Sequence, residues 1–155
     1  MKRILILCIS LLVLSAACKK DNEDPDSGPT ACSGPVCEPS LLSDETAATI
    51  PTGIQSEFQT VYAYAEANSP FSNGQKAKFT LTSNNELIVE IEGEECITLR
   101  NPAYRAGLSQ TNYFFKDDCD RNICYNVSET NDGVFNEVNV QPYEGMGWYG
   151  QFALE

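Results

Sequence analysis

The sequence predicts a mainly β protein: a single small antiparallel β-sandwich or β-barrel over residues 51–155, carried behind a disordered tether. Three observations predict it. Short runs of alternating apolar and polar residues recur about every 8 to 12 residues. Turns rich in Asn, Asp and Gly separate the runs. The gaps between runs are too short for the helical crossovers, of about a dozen residues or more, that parallel strands need.

The first element is ambiguous. IQSEFQTVYAYAEA, within 54–67, reads as a short helix with Ile54, Phe58, Val61, Tyr62 and Ala65 on one face, or as a strand in which Phe58, Thr60, Tyr62 and Tyr64 alternate. Its aromatic and β-branched content favours the strand. In AKFTLTS, Phe79 and Leu81 alternate with Lys78, Thr80 and Thr82. In ELIVEIE, Leu87, Val89 and Ile91 face one way and Glu90 and Glu92 the other. SNN lies between these two runs, so they form a hairpin. CITL, NYFF, ICYNV, VFNEVNV and GWYGQFAL follow, separated by NP, DDCDRN, NDG and EG turns. No repeat of fixed period is present, which excludes a solenoid or propeller.

The N-terminus has a different character. Lys2 and Arg3 precede an apolar run from Ile4 to Val13, and Ser15, Ala16 and Ala17 form a small-residue exit before Cys18. This is the layout of a signal peptide over 1–17, and the run is too short for the roughly 20 residues of a spanning helix. A cysteine directly after that exit resembles the lipobox of bacterial lipoproteins, with Leu14 and Ser15 in the looser pattern of Bacteroidota lipoproteins. The resemblance covers only about the first 25 residues. It implies cleavage before Cys18 and a diacylglyceryl group on its sulfur, with palmitate-type chains anchoring the protein in the outer membrane. Two chains suffice for stable anchoring where one is marginal. The acidic cluster Asp21, Glu23 and Asp24 resembles the signal that sends such lipoproteins to the outer face, with the periplasmic face as the alternative. Residues 18–50, rich in Pro, Ser, Asp and Glu, read as the tether, whose span as a coil is on the order of 30 Å.

Seven cysteines are present, and Cys8 leaves with the leader. With Cys18 lipidated, five remain and one thiol is odd; without lipid, six remain and three disulfides become open to the chain. An exported chain meets an oxidising compartment. Spacing offers Cys32–Cys37 as one loop and Cys96–Cys119 or Cys96–Cys124 as another, with Cys119–Cys124 a further pairing. The C-x4-C spacings and the absence of histidine argue against zinc.

Motifs with functional readings are few. GMGWYG matches G-x-G-x-x-G, but only five residues follow Gly150, leaving no room for the helix that would receive a pyrophosphate. Without histidine, Ser-His and Cys-His catalysis lack their base. Glu90, Glu92, Glu94, Glu95, Asp117, Asp118 and Asp120 could supply a carboxylate pair for glycoside hydrolysis. Asp117, Asp118 and Asp120 could also meet calcium, although they lack the EF-hand spacing, and ordinary turn and strand-face acidity explains them. Tyr143, Trp148 and Tyr149 form a candidate aromatic platform for a sugar or peptide, and Tyr104 and Tyr113 flank a loop. The formal charge of −12 repels nucleic acid and anionic lipid, so membrane attachment falls to the lipid. The expected protein is therefore a non-enzymatic binding or structural module of the envelope, with no cofactor; the alternative is a carboxylate-dependent carbohydrate-active enzyme.

Overall fold

In a computed structural model, which describes residues 32–144 and 147–155, the alternating runs form strands of one sheet. The strands are β1 (Val36–Cys37), β2 (Glu45–Ala47), β3 (Glu57–Ala65), β4 (Lys76–Leu81), β5 (Leu87–Ile91) and β6 (Ile97–Leu99). They continue as β7 (Ala103–Arg105), β8 (Asn112–Asp117), β9 (Ile123–Glu129), β10 (Phe135–Pro142) and β11 (Gly150–Leu154). The signal peptide, Cys18 and the acidic cluster lie outside the described residues.

Local chemistry sets the elements. In β5, Leu87, Val89 and Ile91 are buried while Ile88 and Glu90 are half-buried, as the period of two requires. Between β4 and β5, the Thr82 hydroxyl accepts the N–H groups of Asn84 at 3.2 Å and Glu86 at 3.3 Å. Asn85 takes φ 60°, a left-handed value that asparagine tolerates better than most side chains. Asn101, Asn122 and Gly133 do the same in the NP, DDCDRN and NDG turns. The ambiguous segment is a strand, β3, preceded by a 3-10 turn at Thr52–Ile54.

The sheet order is β1-β6-β5-β4-β3-β11-β10-β9-β8-β7-β2. All eleven strands share one sheet, so the architecture is a single curled sheet and not two stacked ones. Ring contacts across the interior demonstrate the curl. Phe79 on β4 and Tyr125 on β9, separated by three intervening strands, have centroids 6.3 Å apart, and Phe58 on β3 stacks on Phe135 of β10 at 3.9 Å. Tyr62, Phe71, Phe79 and Phe152 meet at the centre, with Phe152 4.7 Å from Tyr62 and 5.2 Å from Phe79.

Three expectations are corrected. The sheet is mixed, because β1 runs parallel to β6, with Val36 opposite Thr98. No crossover helix is needed, since four strands of chain already lie between these two. The tether does not extend to residue 50: Cys37, Ala48 and Ile50 are buried, Glu45 is 7 % exposed, and β1 and β2 form the two sheet edges. The disulfides are Cys32–Cys96 and Cys37–Cys119, with Cα separations of 5.8 and 5.6 Å that suit the bond. Cys32–Cys37, Cys96–Cys119 and Cys96–Cys124 do not form. β1 lies beside β6, which places Cys32 at the β5–β6 loop with Cys96 and Cys37 at the β8–β9 turn with Cys119. Cys124 lies opposite Lys116 and Gln141 on β8 and β10, fully buried and unpaired.

GMGWYG has a structural role at its last residue. A Cβ on Gly150 would stand 1.5 Å from Tyr62 Oη and 2.3 Å from its Cζ. Tyr62 is itself fully buried and fixed by a 2.7 Å bond between its hydroxyl and Ser69 Oγ, so it has nowhere to move. Gly150→Ala is expected to lower stability by about 1 to 3 kcal/mol, the usual cost of overpacking. Urea denaturation measures it, and an unchanged midpoint would refute this packing.

Candidate functional site

Of the acidic residues that could have made a catalytic pair, Glu90 and Asp117 are held by different structural partners, while Glu94 and Asp120 converge on Arg121. Glu90 binds Lys78 at 2.6 Å on the sheet surface. Glu94 faces Arg121 at 3.7 Å. Asp117 is buried at the end of β8, where its two carboxylate oxygens accept the N–H groups of Asp120 at 2.9 Å and Arg121 at 3.0 Å. Burial raises its pKa above the ordinary carboxylate value, against the pull of those two N–H groups. The acid that reads as a calcium ligand in the sequence thus holds its own turn. Asp117 Oδ1 also lies 3.5 Å from Cys37 Sγ, but the sulfurs of Cys37 and Cys119 are bonded to each other and are not free to ligate a metal.

The three rings of the expected platform each pack against a different partner. Tyr149 leans on the half-exposed Tyr64, with centroids 6.0 Å apart, and its hydroxyl donates to Asn139 Oδ1. Tyr143 lies 5.7 Å from Lys116 Nζ. Trp148 packs against the core, edge-on to Phe71 at 6.2 Å and 90°. Tyr104 and Tyr113 pack together at 5.6 Å, and Tyr113 is buried, donating to Glu129 Oε1 at 2.9 Å. The platform resolves into one ring of interest, Trp148.

Trp148 forms a wall of a cavity of about 410 Å³. Phe71, Pro70, Pro142 and Ile123 complete its apolar lining. Polar groups enter from Asn68, Asn122, Glu94 and Arg121. Both asparagines are exposed, hold left-handed backbone at φ 71° and 58°, and line the cavity. Arg121 is fixed by Asp120 Oδ2 at 3.2 Å from its Nε and by an Nη2 donation to the carbonyl of Glu95. Its Nη1 is buried and has no hydrogen-bond partner among the described residues. A volume in the range of roughly 300 to 1,000 Å³, apolar walls and a few polar groups are what small-molecule sites have in common.

A larger hollow of about 580 Å³ lies where residues 38–48 cross the β4–β5 turn. Its polar groups are already occupied in holding that crossing. Asn85 Oδ1 accepts the Ile50 N–H at 2.9 Å, Asn101 Nδ2 donates to the Pro39 carbonyl at 3.2 Å, and Arg100 joins Glu38 and Glu86. It has no aromatic lining among the described residues.

Sequence reasoning singled out Trp148 but missed Phe71, Asn68 and Asn122 as its neighbours. The available signal was slight: SPF at 69–71 and DRN at 120–122 are loop sequences, and only the fold brings both loops to the tryptophan.

No known protein family, curated protein or solved structure matches the chain.

Proposed function

We propose that this protein is a lipid-anchored module of the bacterial cell envelope, held in the outer membrane through a diacylglyceryl group on Cys18 and acting by binding, without catalysis. The observation that carries the reading is the cysteine pairing. Cys32, Cys37, Cys96 and Cys119 satisfy one another, and burial pushes the thiol of Cys124 up to about 11, keeping it neutral. The described domain thus offers Cys18 no exposed thiol, which supports its lipidation over a third disulfide. The residues between Cys18 and the first disulfide, 19–31, act as the spacer. The engagement of Glu90 and Asp117 by structural partners favours binding over glycoside hydrolysis. A formal charge of −12 leaves nucleic acid an unsuitable partner.

Growth with labelled palmitate is expected to tag the wild-type chain and to leave Cys18→Ala unlabelled. Equal labelling of the two would remove the anchor. Protease treatment of intact cells is expected to degrade the domain, and complete protection would place it on the periplasmic face.

A further inference from the structure

We infer that the cavity between Phe71 and Trp148 binds a neutral saccharide, an inference that rests on the protein's being a binding module. The apolar part of the site offers the face of one large ring. Phe71 meets Trp148 edge-on at 90° and is itself buried in the core, so Trp148 is the one ring left to a ligand and there is no row of rings. A single ring suits a compact partner with C–H groups on one face; an extended proline-rich peptide needs a row of aromatic rings along a groove.

The polar groups point the same way. The rim amides of Asn68 and Asn122 each supply both donors and an acceptor, and Arg121 and Glu94 add one donor-only and one acceptor-only group. Hydroxyl groups donate and accept, so a polyol can use all four. Peptide groups, with a carbonyl that only accepts and an N–H that only donates, match this mixture less well. Charge excludes an acidic sugar, because Arg121 is already answered by Asp120 at 3.2 Å and Glu94 at 3.7 Å.

Trp148 is the one tryptophan of the chain, so its emission reports on this site directly. The test uses the full-length protein, purified from membranes in a detergent whose headgroup is not a sugar. It is titrated with maltose, cellobiose, mannobiose and galactobiose, with glucuronate and a proline-rich peptide alongside. At least one neutral disaccharide is expected to shift Trp148 emission saturably and to give saturation-transfer NMR signals. By NMR, Trp148→Ala is expected to weaken binding about tenfold or more, the loss typical of truncating a central aromatic contact. Asn68→Gly and Asn122→Gly remove the amides while tolerating the left-handed backbone, and each is expected to weaken binding several-fold. Trp148→Phe, which keeps an aromatic face, is expected to retain most of the affinity and guards against misfolding as the cause. The inference is overturned if no neutral disaccharide binds, if only glucuronate or the peptide binds, or if the substitutions leave affinity unchanged. Palmitate labelling is independent of these readouts, so loss of the saccharide site leaves the anchor standing, and loss of the anchor leaves the site.

Discussion

Replacing Cys37 and Cys119 together by serine is expected to lower the unfolding free energy by about 3 to 4 kcal/mol, the chain-entropy value for the shorter loop this bond closes while Cys32–Cys96 stays in place. The bond spans 82 residues of sequence, against 64 for Cys32–Cys96. Its position adds to the effect. β1 has only two residues and pairs with β6 alone, while Cys119 belongs to the turn between β8 and β9, in the other half of the sheet. No hydrogen-bonded ladder joins those places, so the disulfide fastens the edge strand across the molecule, helped by the Lys116 donation to the Ser40 carbonyl. The variant should keep Cys32–Cys96, and its amides from residue 36 to residue 50 should lose hydrogen-exchange protection before those of the central strands. Urea denaturation measures the stability, and a loss below about 1 kcal/mol would mean that the loop-closure account does not apply here.

That same bond explains why residues 32–50 are misread from sequence. Composition places them with disordered chains because Pro, Ser, Thr, Asp and Glu make up about half of the segment, a mixture that normally buries too little area to offset ordering entropy. Here other interactions take that place: two cross-links, the burial of Cys37, Ala48 and Ile50, and a charged side chain, Glu45, drawn inside by a lysine 71 residues away. None of these leaves a periodic trace. Where burial does follow a period, sequence suffices, as in ELIVEIE, whose alternation reappears in β5. The pairing of Cys32 with Cys96 and the meeting of Phe71 with Trp148 depend on topology, and spacing along the chain carries no information about it. Trp148 is readable as a residue of interest; its neighbours are readable only as turns.

Lys116→Met is expected to cost about 3 to 5 kcal/mol, the range for breaking a buried ion pair from one side. Lys116 and Glu45 have fully buried side chains, with Nζ 2.5 Å from Oε2. The lysine also donates to the Ser40 carbonyl at 2.8 Å, and the glutamate accepts the Leu42 N–H at 2.9 Å and faces Arg105 Nε at 3.4 Å. Removing the lysine leaves a buried carboxylate with only partial compensation. Lys116→Met/Glu45→Gln should therefore be more stable than Lys116→Met, since the uncharged amide of the second substitution still offers the Leu42 N–H an acceptor. The pH dependence separates this from a simple packing loss. In the wild type, burial alone would raise the Glu45 pKa, but the Leu42 N–H, Lys116 and Arg105 outweigh it and hold the carboxyl below its ordinary value of 4.5. The glutamate thus contributes stability that is present above that value and is lost as pH falls through the lower folded-state pKa. In Lys116→Met, burial prevails and the folded-state pKa rises above the unfolded one, so the sign reverses. Relative to wild type, the variant should recover stability as pH falls from about 7 towards about 5, because the native state then takes up the proton first. Denaturation curves across that range measure the difference. A loss under about 0.5 kcal/mol in Lys116→Met, the scale of an ordinary surface substitution, or a deficit that does not change with pH, would mean that the pair is not the buried electrostatic unit its geometry describes.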